Sequence, residues 1–129
     1  MVKHLPFNEF DMSAIINVVN RYKGAGLRAD YNMARMAAGV VSIVLEDPMK
    51  RDGSLAVFEV HKLARPTWFG NRARWVVQLW SQSVQSRMAE KRGCVTGKTQ
   101  ARALVEAETD LRCNFISRCD FELASGGII

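Results

Sequence analysis

Apolar positions recur every three to four residues from Asp11 to Tyr22, where Ile15, Ile16, Val18, Val19 and Tyr22 fall near one face. That spacing predicts an amphipathic helix with Asp11 or Ser13 as its N-cap and Gly24 and Gly26 as its end. A second helical stripe starts at Asp30 and runs through Met33, Met36, Ala37, Val40, Val41 and Val44, until Asp47-Pro48 stops it. The two helices make a hairpin, with the methionines as core filler.

After the turn Lys50-Arg51-Asp52-Gly53 the period changes to two. Leu55, Val57 and Glu59 oppose Ala56, Phe58 and Val60, a strand pattern. Arg65 to Asn71 carries the Pro and Gly of a long loop. Arg72 to Gln82 is a second strand, with Trp75, Val77 and Leu79 on one face; its β-branched and aromatic residues outweigh a competing helical reading. Helix is expected again from Val84 to Glu90, broken at Gly93. Thr96 or Thr99 then caps a helix through Asp110 or Leu111, with Ala101, Leu104, Val105 and Ala107 toward the core. Asn114 to Ala124 alternates as a half-buried strand. The order ααββαβ implies one α/β or α+β domain over residues 1–129, a small sheet of three to four strands covered by helices.

The chain has 129 residues, 48% hydrophobic and 24% charged, which is enough apolar material for one core and excludes general disorder. The longest nearly uncharged run, Met36 to Leu45, is too short to span a bilayer, and the N-terminus lacks the pattern of a secretion signal. An intracellular or intraparticle location is expected, with no membrane contact. Cys94, Cys113 and Cys119 are odd in number and irregularly spaced, so they read as reduced, mostly buried thiols. Ser125-Gly126-Gly127 followed by two bare isoleucines reads either as a cap on a core groove or, the favoured reading, as the end of the structured core of a longer chain.

Charge changes the picture most. Lys62, Arg65, Arg72, Arg74, Arg87, Lys91, Arg92, Lys98 and Arg102 face a single acid, Glu90, within Lys62 to Arg102, while the rest of the chain has nine basic and twelve acidic residues. A regional surplus is the footprint of a polyanion-binding face. The same stretch holds Trp68, Trp75 and Trp80, and rings interleaved with cations suit RNA or single strands, because phosphates release counterions and unpaired bases stack. Arg65, Arg72, Arg74, Arg87, Lys91, Arg92, Lys98 and Arg102 are therefore the candidate nucleic-acid-binding residues. A homodimer interface is the alternative use of the tryptophans.

Catalysis finds little support. Gly93-Cys94-Val95-Thr96-Gly97-Lys98-Thr99 ends like a phosphate-binding loop, but that motif needs four residues between its glycines, and the required position holds Arg92. His4 and His61 have no sequence neighbour that makes a nucleophile and base pair, and His61 reads as a strand surface residue. Glu106, Glu108 and Asp110 read as a solvated helix face. No enzyme activity, metal or cofactor is expected. A stand-alone DNA- or RNA-binding regulator is the competing function, but the apolar stripe after Asp30 suits a core better than a base-reading helix.

The run Arg21-Tyr22-Lys23-Gly24-Ala25-Gly26-Leu27-Arg28-Ala29-Asp30-Tyr31, the overall size, the order of elements and the end at Ile129 resemble the small packaging and assembly factors of cystoviruses, the segmented double-stranded RNA bacteriophages. The resemblance implies a non-enzymatic protein of the virion inner core, met also in the host cytoplasm, that assists capsid assembly and RNA packaging beside capsid and polymerase proteins. It also implies a homodimeric, BRCT-like fold with a mobile polar tail beyond Ile129. It transfers no catalytic residue.

Overall fold

A computed structural model describes residues 3–46, 55–67, 70–82 and 89–114. In chain order the elements are α1 (Glu9–Gly24), β1 (Arg28–Asn32), a 3-10 turn (Met36–Ala38), β2 (Val40–Glu46), β3 (Leu55–Thr67), β4 (Gly70–Gln82), β5 (Ala89–Gly97) and α2 (Gln100–Asn114). The fold is α+β: five strands, more than the three to four expected, lie in the order β1-β2-β3-β4-β5 with every neighbouring pair antiparallel.

The first helix forms where the spacing predicts it, three residues earlier at its start. Asn8 is the cap: its side chain accepts from the Asp11 amide and Asp11 accepts from the Asn8 amide, both at 2.9 Å, a reciprocal capping box. Ile15, Val18, Val19 and Tyr22 are buried, whereas Ile16 is exposed. The chain then turns through Gly26, whose φ of 95° suits a residue without a β-carbon.

The expected second helix is two strands. Val40 to Glu46 is rich in β-branched residues, and its buried Val41, Ile43 and Leu45 alternate, so the period is two where the methionines ahead of it imitate a period of 3.6. Gly39, at φ 81°, separates the 3-10 turn from β2. Met33 is 54% exposed, while Met12 and Met36 pack partly against the core.

The expected loop at Arg65 to Asn71 belongs largely to a long hairpin, for β3 and β4 stay paired as far as Thr67 opposite Gly70. Pro66 is tolerated inside β3 for a directional reason. The amides of Lys62 and Ala64 point away from β4, toward Gly39 and Lys3, so the amide that Pro66 lacks would point the same way, past the last partner on that side among the described residues.

The expected helix over Val84 to Glu90 lies outside the described residues up to 88, and Ala89 and Glu90 begin β5. Gly93 breaks nothing. It pairs with Leu79 inside the ladder, and the next pair is Trp80 with Lys91, so Arg92 is the extra residue of a bulge. Thr99 caps α2, its hydroxyl accepting from the Arg102 amide at 3.2 Å. The core side of α2 is Ala103, Leu104 and Ala107; Ala101 is exposed and Val105 is 53% exposed, a stripe rotated from the expected one. Residues 115–124 of the expected final strand lie outside the described residues, and Asn114 closes α2.

Both helices cover one face of the sheet, α1 against β1 and β2 and α2 against β4 and β5. Between them sit Ala56, Phe58 and Val60 of β3 and Trp75, Val77 and Leu79 of β4, alternating as predicted. Burying side chains of this size stabilises by about 1.5–3 kcal/mol each. The opposite face, uncovered among the described residues, presents half-buried Val44, Leu55, Val57, Leu63, Val76 and Trp80.

Candidate nucleic-acid interface

Sheet register sorts the basic stretch into two ends. Arg65 pairs with Arg72, Leu63 with Arg74, and Trp75 with Gly97, the last residue of β5, so Lys98 follows directly beside the start of β4. Arg102 lies in the first turn of α2 at the same end, and Lys3 joins them because its carbonyl accepts from the Ala64 amide at 2.7 Å. Lys91 and Arg92 belong to the other end: the partners of Lys91 and Gly97, Trp80 and Trp75, stand five residues apart on β4, roughly 17 Å along a strand. Arg87 and Trp68 lie outside the described residues.

The side chains of Arg74, Lys98 and Arg102 are exposed. Arg102 lies 3.4 Å from Glu106 one turn along α2, a solvated pair that leaves it accessible. Arg74 and Lys98 have no carboxylate partner among the described residues. Lys62 departs from the expected face. Its position turns it toward the helices, where Nζ meets Asp11 Oδ2 at 2.6 Å and lies 5.6 Å from the centroid of the Trp75 ring. Both side chains of that pair are only 12% exposed, so Lys62 is consumed inside the fold.

The tryptophans divide similarly. Trp75 is buried and meets Phe7 edge to face, with centroids 5.4 Å apart, which removes it as a base-stacking platform. Trp80 is half-buried on the uncovered face of the sheet. Phe10 is the aromatic that sequence reasoning missed. It is 86% exposed in the first turn of α1, beside Asp11, whose carbonyl accepts from Gln100 Nε2 at 3.0 Å. That contact brings the N-termini of α1 and α2 together at the basic end; the first turn of α2 carries no acid and adds positive potential, whereas Glu9 and Asp11 offset the dipole of α1. The signal for Phe10 was a phenylalanine off the apolar face of α1, next to the cap.

The resemblance to a phosphate loop does not survive in backbone terms. Gly93 to Gly97 is strand, its pairing to β4 continuing to Trp75, so these amides do not form a phosphate cradle; only Lys98 and Thr99 stand beyond the ladder. Cys94 is an exposed free thiol, contrary to the expected burial, because its position alternates with Val95 toward the uncovered face. His61 is half-buried: its Nε2 is 2.6 Å from Glu59 Oε1 and its Nδ1 is 3.1 Å from His4 Nε2. Glu108 pairs with Arg21 of α1, tying α1 to α2. Among the described residues, no three His, Cys, Asp or Glu side chains converge on one point as a metal cage, and no helix is long and apolar enough to cross a membrane.

No protein-family model matches the chain, and neither the curated proteins nor the solved structures contain a match.

Proposed function

We propose that this is a non-enzymatic protein that binds RNA through phosphate contacts at one end of its sheet, with Arg74, Lys98 and Arg102 as exposed cations and Arg65 and Arg72 at the adjoining register positions. The observation that carries the reading is that pairing of β3 with β4 and of β4 with β5 brings positions far apart in sequence to one end of the sheet, beside two helix N-termini. Phe10 adds an exposed ring on which an unpaired base can stack. Lys91 and Arg92, at the other end of β5, are left out of this contact surface.

In line with the cystovirus resemblance, the RNA-binding role is proposed to serve capsid assembly and genome packaging in a virion core, beside capsid and polymerase proteins. The BRCT-like homodimer belongs to the same proposal; Val57, Leu63, Val76 and Trp80 on the uncovered sheet face offer apolar area for protein contacts.

Salt titration of binding to a single-stranded RNA tests the reading. Four to five phosphate contacts correspond to a slope of log K against log salt near about −3. A slope near zero would remove phosphate recognition from the account.

A further inference from the structure

We propose that His4 and His61 form a binding site for a divalent zinc-type metal ion, with Glu59 as the residue that orients His61. The site lies on the uncovered face of the sheet and does not depend on the RNA reading.

The nitrogens His4 Nε2 and His61 Nδ1 stand 3.1 Å apart. Two imidazole ligands of one zinc ion, each bonded at about 2.0–2.1 Å, stand about 3.1–3.4 Å apart for angles from near 100° to tetrahedral. The separation of the two nitrogens, now joined by a hydrogen bond, falls in that range, so the rings need only turn their facing lone pairs toward one point to hold an ion. His61 meets a further requirement of such ligands: its other nitrogen, Nε2, is 2.6 Å from Glu59 Oε1. A carboxylate that accepts from one imidazole nitrogen fixes the tautomer, leaving the lone pair of the other nitrogen free to ligate, and it raises the basicity of that nitrogen. With Glu59 accepting from Nε2, the ligating atom of His61 is Nδ1, the atom that faces His4.

His4 is held in place by backbone rather than by chance. Its segment forms an antiparallel bridge with Leu63, the Leu5 amide donates to the Lys62 carbonyl at 2.9 Å, and the Ala64 amide donates to the Lys3 carbonyl at 2.7 Å. Gly39 permits this approach, because a β-carbon there would stand 2.6 Å from the Leu5 carbonyl and 2.8 Å from the His4 β-carbon. The His4 ring itself is exposed, so it can swing off the line between the two nitrogens and admit an ion.

Without metal, one imidazole N–H donates to the other ring. On binding, His4 carries its proton on Nδ1 instead of Nε2, and both facing lone pairs point at the metal with no net loss of a proton. Imidazole donors select zinc and its first-row neighbours over magnesium or calcium. Two protein ligands leave the remaining coordination positions to water or to a partner's side chain, which sets the affinity in a moderate range.

Isothermal titration of zinc chloride into the full chain, free of any histidine tag and carrying Cys94→Ser, Cys113→Ser and Cys119→Ser so that no thiol competes for the ion, tests the site. One equivalent should bind with a micromolar dissociation constant, His4→Ala and His61→Ala should each weaken it at least tenfold, and Glu59→Gln should weaken it about tenfold. Should His61→Ala fail to fold, His4→Ala decides alone, since that ring is exposed. No binding up to about 100 µM zinc, or binding undiminished in His4→Ala, overturns the proposal.

Discussion

Lys62 and Asp11 hold the fold's two layers together at its basic end. Lys62 lies in β3 and Asp11 in the first turn of α1, and Asp11 does three things at once: it closes the capping box with Asn8, pairs with Lys62 at 2.6 Å, and offers its carbonyl to Gln100 of α2. The pair is shielded from water, so loss of one partner leaves an uncompensated charge. Lys62→Ala should destabilise by about 3 kcal/mol. Asp11→Asn combined with Lys62→Met should recover much of that loss. Urea unfolding of both variants and the wild type checks this, and equal stability of Lys62→Ala and wild type would contradict it.

Gly97 sits where β5 runs beneath α2. A β-carbon there would stand 2.7 Å from the Ala103 amide nitrogen and 3.0 Å from the Thr99 carbonyl, both backbone atoms that cannot swing aside. Gly97→Ala should cost about 1–3 kcal/mol by overpacking, read as a lower thermal midpoint. The open Gly24, with nothing near an added β-carbon and no positive φ, should accept alanine with little change.

The two ends of the sheet should behave differently toward RNA. Arg74→Ala with Lys98→Ala removes two exposed cations and should flatten the salt dependence by about 1.4 in slope on a single strand. Lys91→Ala with Arg92→Ala should leave the affinity near wild type. Fluorescence anisotropy over a range of salt concentrations separates them, and the reverse ranking would move the interface to the other end.

If the proposed RNA interface includes Phe10, its contact is one that salt does not screen. Phe10→Ala should weaken binding to an unstructured RNA by about 1–3 kcal/mol while leaving its salt slope and the melting temperature unchanged. Equal affinity of the variant and the wild type would remove stacking from the interface.

Local pattern made part of this legible. Alternation in β3 and β4 predicted which residues share a face, grouping Phe58 with Val60 and Trp75 with Val77 and Leu79, but with apolar residues on both faces it did not say which one the helices cover. Residues 30 to 46 misled for a physical reason. Met33 and Met36 precede a densely β-branched run, and apolar residues on neighbouring positions satisfy a helical template as readily as a strand buried on one side. Gly93 looked like a helix breaker, yet it lies in a paired strand next to a bulge. The site was half legible: composition located the charge, but only register shows that Lys62 turns inward, that Arg74 and Lys98 become neighbours, and that Lys91 lies a strand length away. Phe10 and the His4–His61 contact needed tertiary structure, since their partners lie on other elements.

Every strand in the described sheet pairs with the strand next to it in sequence, so the ladder can grow one hairpin at a time with short loop closures. Asp11 of α1, by contrast, meets Lys62 across 51 residues, so closing that contact costs more chain entropy than a turn between neighbouring strands.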